Sequence, residues 1–489
     1  MENTTKNVAL HNLGCKVNSY EIEVMQEKLE EKGYRIVPFA PGADIYVINT
    51  CTVTNIADRK SRQMLHRAKK MNPRAVVVAV GCYVQTGAEE IKKDPCIDLA
   101  IGNNRKKDIV TLLEEYLKQR EELGEENAAE DTEAALGLKG KRAVDKTLGD
   151  TTLIDLNSGD HEYEEMTLTH TGEHTRAYIK IQDGCNQFCS YCIIPFARGR
   201  VRSRKLQDIL KEVRGLAAAG YREIVITGIH LSSYGLDFHQ EKFGDYLATE
   251  ELKAQTYERG YLIEVLEEIN KIEGIRRIRL GSLEPRIVTV DFAKRLKAVD
   301  KLCPHFHLSL QSGCDETLKR MNRHYTIEEF RNTVELLRKT FASPAITTDV
   351  IVGFPGETGE EFAQTCAFLE EIHFYDMHVF KFSKRQGTAA AARKDQIDER
   401  IKAERSDLLL AMAQKHSEEY RRSFLGKEVT ALIEESKEIE GKVYQTGLTS
   451  TYIKVAVDGK VDFRNKVIRG KAVSLLKGEY LFLESVNED

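Results

Sequence analysis

No run of eighteen apolar residues occurs anywhere in the 489-residue chain, so no transmembrane helix is expected. The opening residues, MENTTKNVALHNLGCKVNS, lack the basic start and apolar core of a secretory signal, and the expected location is the cytoplasm. Cysteine is sparse, ten residues spread over 489, which excludes a disulfide framework and indicates a reducing compartment. Positive charge is also in deficit: the formal net charge of -5 argues at first against a nucleic-acid partner. That deficit is local. Glu114 to Glu165 carries 16 acidic and 6 basic side chains, a balance of -10, so the rest of the chain is +5. Within that rest, Arg59 to Arg74 holds seven Lys/Arg and no acid, and Arg198 to Lys205 holds five cations and no acid. Either run suits phosphates and either suits a solvated helix face; position beside a cysteine array favours the second run for phosphates.

That array is Cys185, Cys189 and Cys192 in DGCNQFCSYC, a C-x3-C-x2-C spacing. A [4Fe-4S] cube that only shuttles electrons takes four protein ligands, whereas three leave one iron open, as a catalytic metal keeps a position for substrate. The natural occupant is the amino and carboxylate groups of S-adenosylmethionine, with the radical chemistry carried by the cofactor. A structural zinc site is the alternative and would need a fourth ligand, the next downstream candidate being His230. Inert buried cysteines are the other reading.

At this length two or three domains are expected. Over 1–115, apolar runs at VALHNL, DIYVINT and AVVVAVGC alternate with helical patterns at 20–34 and 55–71, which reads as a parallel α/β domain. Cys15, Cys51 and Cys82 each follow one of those strands, at the edge where such sheets gather ligands. Three cysteines at one edge suggest a second metal centre with an open position, against the reading of small hydrophobes at strand ends. Cys96 falls outside the pattern and is expected to be structural. Residues 116–170, acidic and poor in apolar residues, read as a linker.

Residues 171–415 give six strand-helix units, a partial (β/α)6 barrel with its chemistry at the carboxyl ends of the strands. Polar and glycine residues close those strands: Thr227 and Gly228, Ser282 and Glu284, Ser309 and Gln311, Asp349 and Gly353. Their hydroxyl, amide and carboxylate groups suit the ribose and amino-acid ends of S-adenosylmethionine, and glycine admits close backbone approach. Ordinary caps and turns would use the same residues. Residues 237–260 read as a surface insertion, and Cys303, Cys314 and Cys366 as structural. Residues 416–489 show short alternating strands joined by glycine turns, a small β-barrel of the kind that binds nucleic acid, although 10 basic against 11 acidic residues from Leu425 onward do not name RNA.

The stretch Thr175 to Arg204, TRAYIKIQDGCNQFCSYCIIPFARGRVRSR, resembles the radical S-adenosylmethionine signature of the methylthiotransferase family. NLGCKVNSYE, INTCTVTNIADRKSRQ and VGCYVQ resemble its amino-terminal domain, and TGIHLSSYG, LGSLEP, HLSLQSGCDETLKRMNR and VGFPGET resemble its barrel, with Ser309 where many relatives have proline. The tail is similar to the TRAM domain that helps hold tRNA. The resemblance implies two [4Fe-4S] clusters, one on Cys185, Cys189 and Cys192 and an auxiliary one on Cys15, Cys51 and Cys82, with Asn12 and Asn49 orienting the latter. It implies that one S-adenosylmethionine methylates a sulfur on the auxiliary cluster and a second is cleaved to a 5'-deoxyadenosyl radical that activates the target carbon. TGIHLSSYG and FSKRQGTAAA look most like the branch acting on N6-threonylcarbamoyladenosine at position 37 in the tRNA anticodon loop, where Lys384 and Arg385 would meet the threonyl carboxylate. Isopentenyladenosine in tRNA, an aspartate of a ribosomal protein, and a non-catalytic metal-containing RNA-binding protein stand as alternatives. Electron donor and sulfur source are left open.

Overall fold

The computed structural model describes residues 5–122, 162–169, 175–239 and 250–489. Five parallel strands, β1 Asn7–Asn12, β2 Arg35–Ile36, β3 Ile45–Thr50, β4 Val76–Gly81 and β5 Leu99–Ile101, form the first sheet in the order β2-β1-β3-β4-β5. Every residue of β3 and β4 is buried, as the unbroken apolar runs require of strands covered on both faces. Helices Lys16–Glu31 and Ile109–Glu122 supply one core and helix Asn55–Met71 the other. The basic helix starts at Thr54, whose side chain accepts from the Ala57 N–H, a cap worth about 1 kcal/mol.

Two expectations about the acidic stretch change. The helix Ile109–Glu122 runs on past the expected domain end at 115, with Tyr116 and Leu117 packed on the core. Residues 162–169 are a docked strap rather than a linker: Met166 and Leu168 are buried in the first domain's core. The Leu168 N–H donates to Glu212 Oε1 at 2.7 Å and the Tyr163 hydroxyl to the Lys180 carbonyl at 2.7 Å, both in the next domain. Residues 123–161 lie outside the described residues.

The second domain strings β6 Arg176–Asp183, β8 Glu223–Gly228, β9 Arg277–Leu280, β10 His305–His307, β11 Ala345–Val352 and β12 Asp376–Lys381 into one parallel wall, with the short β7 Arg202–Ser203 antiparallel beside β6. The bridges Ile278↔Leu302 and Leu283↔Leu308 join β9 to the β10 chain. Ala177, Ile179 and Ile181 of β6 face outward into the large helix-covered core, so the alternate residues Arg176, Tyr178, Lys180 and Gln182 face inward. The partial barrel has an open side at β6, and helix Lys16–Glu31 of the first domain lies along it. The insertion is more than surface: helix Glu250–Arg259 buries Lys253 and Thr256 against the barrel, while 240–249 lie outside the described residues.

Helix Glu399–Arg422 crosses the expected boundary at 415 and delivers the chain to a closed barrel of β13 Glu428–Ile439, β14 Lys442–Thr449, β15 Lys454–Asp458, β17 Tyr480–Glu488 and β16 Val467–Leu476. This barrel seals the floor of the second domain, at the amino ends of its strands. Arg279, fully buried, donates through Nε to Glu223 Oε1 at 2.9 Å and through its two terminal nitrogens to the carbonyls of Ser450 (3.0 Å) and Thr449 (3.1 Å). Tyr452 stacks on His305 at 4.7 Å. Breaking one partner of a buried charged set costs about 3–5 kcal/mol. Arg279→Met is therefore expected to free the C-terminal barrel first: limited proteolysis should cut within 428–488 at temperatures where β1–β5 stay protected.

Candidate active site

The first cysteine loop is set by Gly184 (φ +70°), where a Cβ would lie 1.8 Å from the Arg200 carbonyl oxygen, so no other residue fits. The Cys185 N–H donates to the Gly199 carbonyl at 3.0 Å and the Cys192 N–H to the Cys189 carbonyl at 2.9 Å, curling the loop and keeping the three thiols within electrostatic reach of one another. Burial, and then the neighbouring Cys189, push the Cys192 thiol up to about 12. Two donors turn toward sulfur: Arg323 Nη1 lies 3.3 Å from Cys189 Sγ and the Gln187 N–H 3.5 Å from Cys185 Sγ. Arg323 sits within the HLSLQSGCDETLKRMNR run, where an arginine after a helix reads as solvent-facing in sequence.

Around this loop the expected strand-end residues separate into groups. Gly228 packs on Gln182, whose amide oxygen would be 2.9 Å from a Cβ there, and Thr227 beside it is buried. Glu284 is buried and accepts from Gln187 Nε2 at 2.8 Å, with His230 Nε2 at 3.0 Å. Burial alone would raise this carboxyl, but the His230 contact holds it at about 2. Its contribution to stability is thus complete above about pH 4.3 and lost only as pH falls toward 2. Lys253 of the insertion helix reaches Gln187 Oε1 at 3.3 Å, so the insertion completes this polar wall. Ser282 is exposed, Ser309 gives its carbonyl to Arg323 and Tyr325, and Gln311 takes φ +71° while bridging to β11. Gly353 serves packing instead: a Cβ there would lie 2.3 Å from Lys402 Cγ. Asp349 points lower into the barrel, 3.2 Å from His307 Nε2.

The second site forms where β1, β3 and β4 end. Gly81 (φ +99°) brings its backbone against Asn49, leaving 2.5 Å between a Cβ and Asn49 Oδ1, and so delivers Cys82 beside Cys51. Cys51 and Cys82 are buried and Cys15 is exposed at the rim. Burial pushes the Cys51 thiol up to about 11. Asn49 Nδ2 donates to the Asn18 carbonyl at 2.9 Å and Asn12 Nδ2 to Ser19 Oγ at 2.9 Å, so both brace helix Lys16–Glu31 behind Cys15. Asn103 Nδ2 bridges Cys82 Sγ at 3.6 Å and the Ala197 carbonyl at 2.6 Å.

Of the five cations in the basic run Arg198–Lys205, Lys205 is exposed and Arg200 half-buried, while the other three turn inward. Arg198, Arg202 and Arg204 are buried at the seam between the domains. Arg198 donates to Glu21 Oε1 at 2.8 Å, Asn18 Oδ1 at 2.7 Å and Asp183 Oδ1 at 3.1 Å; Lys180 reaches Glu21 at 3.0 Å and Asp183 at 3.1 Å; Lys106 also binds Glu21. Arg202 donates to Asn104 and Arg204 to Glu212. Arg198 stands within electrostatic reach of Cys15, Cys51 and Cys82, and its Nε is buried without a hydrogen-bond partner among the described residues. The other basic run does reach solvent: Arg59, Arg62, His66, Arg67 and Lys70 line one open groove, while Lys69 turns in to Asp98 at 2.8 Å.

Arg385 is also committed. Its guanidinium binds Asp58 Oδ2 at 2.6 Å, Asn55 Oδ1 at 2.7 Å and Thr52 Oγ1 at 2.6 Å, in the loop after Cys51, and its buried Nε has no partner among the described residues. Lys384 is exposed and its carbonyl accepts from Asn55 Nδ2 at 3.0 Å.

Residues 7–102 match the model of an uncharacterized protein family, UPF0004, and residues 179–369 that of the radical SAM superfamily. The chain is 37% identical, over 98% of its length and 95% of the relative's, to the threonylcarbamoyladenosine tRNA methylthiotransferase MtaB of Bacillus subtilis. It is 34% identical to the tRNA-2-methylthio-N6-dimethylallyladenosine synthase of Acetivibrio thermocellus, over 90% and 83%. This chain belongs to the radical SAM methylthiotransferase family. The fold also matches a radical S-adenosylmethionine methyltransferase from Kitasatospora setae (TM-score 0.50, 16% identity, 79% of this chain and 77% of that one).

The methylthiotransferase cofactors, two [4Fe-4S] clusters and S-adenosylmethionine, fit what both sites offer. Each site holds three thiols within electrostatic reach of one another, and each sets an arginine against them, the half-buried Arg323 at the first and the buried Arg198 at the second, which suits anionic thiolate-bound clusters. Cys185, Cys189 and Cys192 would hold one cluster, and Cys15, Cys51 and Cys82 the other. The unpaired Arg198 Nε is a donor left open near these thiols. Replacing Arg198 with Gln removes a positive charge beside the auxiliary cluster. Its reduction potential should fall, while Arg198→Lys should keep most of it; EPR-monitored redox titration reads the shift.

Proposed function

We propose that this methylthiotransferase converts N6-threonylcarbamoyladenosine to its 2-methylthio form at position 37 in the tRNA anticodon loop, in the cytoplasm. The observation that carries this reading is the pairing of two three-thiol sites across one rigid seam, in a chain similar over nearly its whole length to three enzymes named for that substrate. The dimethylallyladenosine synthases are similar at 32–34% and make isopentenyladenosine the second substrate to test.

When bound, the cofactors supply reductive cleavage of S-adenosylmethionine and the sulfur to be transferred. The chain's own residues do the rest. Arg323 offsets the negative charge of the first thiol set, and Gln187, Glu284, His230 and Lys253 offer a fixed polar wall to the ribose and amino-acid parts of S-adenosylmethionine. Thr227, Gly228, Ser309 and Gln311 border the same end of the barrel. The strap 162–169 and the insertion helix close the sides against water, which a radical step requires. The Arg59–Lys70 groove and the TRAM-like barrel are the surfaces we assign to tRNA phosphates.

Nucleoside mass spectrometry of tRNA from cells with and without the gene decides the substrate: loss of 2-methylthio-N6-threonylcarbamoyladenosine with accumulation of its precursor is expected. Unchanged tRNA overturns the reading. The two sites separate by mutation. Cys185→Ala should abolish 5'-deoxyadenosine formation and methylthiolation alike. Cys51→Ala should keep 5'-deoxyadenosine formation, lose the methylthio product, and drop iron from roughly eight to roughly four per chain.

A further inference from the structure

Phe196 is an aromatic side chain that the fold leaves uncovered. It stands on the short helix Ile194–Arg198 with 42% of its surface exposed, and its ring meets that of the half-buried Phe188 edge-on, at 5.7 Å and 84°. Phe188 is the residue before Cys189 and takes φ +45°, a conformation that bulky side chains rarely adopt. Asn322 holds it there, its Nδ2 donating to the Phe188 carbonyl at 3.1 Å and to the Gln187 carbonyl at 3.3 Å. Strain kept in place by a neighbour is the mark of a side chain whose direction is used.

Over Phe188 lies Arg200, its guanidinium carbon 4.6 Å from the ring centroid. The backbone on either side of Arg200 is pinned: the Gly199 carbonyl accepts from the Cys185 N–H at 3.0 Å, and the Val201 N–H donates to Asn186 Oδ1 at 3.1 Å. Arg198, Arg202 and Arg204 spend their donors inside the protein, whereas the Arg200 side chain makes no hydrogen bond or ion pair among the described residues. The same helix reaches the second thiol set. The Ala197 carbonyl accepts from Asn103 Nδ2 at 2.6 Å, and that amide lies 3.6 Å from Cys82 Sγ. Phe188 and Phe196 therefore sit on the stretch of chain that links the two sets of thiols, where a reacting base must arrive.

An exposed ring backed by a guanidinium with unused donors suits an unstacked nucleotide, which brings a π-face for the ring and a phosphate for the arginine. A protein loop brings no phosphate, so the uncommitted Arg200 favours RNA. We propose that Phe196 and Phe188, backed by Arg200, stack a base that flanks the target adenosine in the anticodon loop. They act as positioning residues, holding the neighbouring base in place of its lost partner while the target nucleotide turns toward the thiol sites. This rests on the tRNA reading above.

The test uses reconstituted enzyme holding both clusters and an anticodon stem-loop RNA carrying N6-threonylcarbamoyladenosine, beside versions with an abasic nucleotide on the 5' or the 3' side of the target. Fluorescence anisotropy should show one of the two abasic RNAs binding the wild type about tenfold more weakly than the intact RNA, as loss of one stacked base implies. Phe196→Leu, which keeps apolar bulk without a π-face, should lose about as much on the intact RNA and little more on that abasic RNA. Phe196→Tyr should restore tight binding, and Arg200→Gln should weaken it and flatten its salt dependence. Iron content is measured alongside; if Phe196→Leu sheds iron, the abasic RNAs on the wild type and on Arg200→Gln carry the test. A wild type that turns over the intact RNA yet binds all three RNAs equally overturns this inference and leaves the substrate reading standing, as do losses from Phe196→Leu and from the abasic site that simply add. A wild type that turns over no RNA overturns both.

Discussion

A single buried carboxylate organises the molecule. Glu21, with no exposed surface, accepts from Lys106 of its own domain and from Lys180 and Arg198 of the next, and Asp183 repeats the pattern from the barrel side. Four cations, Lys106, Lys180, Arg198 and Arg202, face these two carboxylates, and the seam stays positive even with Glu164 counted. A buried set of this kind gives little net stability over apolar packing, but removing one member leaves an uncompensated charge, so the two domains have one low-energy alignment. That alignment places three thiols of one domain opposite three of the other, and the surplus positive charge lies where thiolate-bound clusters would balance it.

Much of this was legible in sequence because its signals are local. Strand runs ending in Cys15, Cys51 and Cys82 follow from periodicity, and C-x3-C-x2-C is a spacing with few meanings. What sequence misplaced was partnership. Arg198, Arg202 and Arg204 look like a phosphate-binding run, yet Glu21, the carboxylate that draws Arg198 into the seam, lies 177 residues away; Asp183 and Glu212 are only 15 and 8 residues from their arginines, but nothing local says they face them. Arg385 was assigned to substrate for the same reason; Asp58 is 327 positions distant. The acidic stretch misled in the opposite direction, since its composition hid the two apolar residues, Met166 and Leu168, that dock the strap.

The floor of the barrel shows how far function constrains packing. Ordinary parallel barrels fill their interior with branched apolar side chains. Here Arg176, Arg277, Arg279, Glu223 and His305 occupy that level, and the C-terminal barrel answers with Tyr452, Glu434 and the carbonyls of Leu448, Thr449 and Ser450. The third domain is thus part of the second domain's interior.

The segment after β12 ties the two thiol loops to one another. Arg385 grips the loop after Cys51, and five residues later the Ala390 N–H donates to the Ser190 carbonyl, between Cys189 and Cys192. Five extended residues span at most roughly 18 Å, so this tether sets an upper limit on how far the two loops part, independent of side-chain packing. A gap with a fixed ceiling cannot open like a jaw around a folded helix. It admits only something slender that leaves its own stack to enter, and a nucleotide turned out of an RNA loop has that shape.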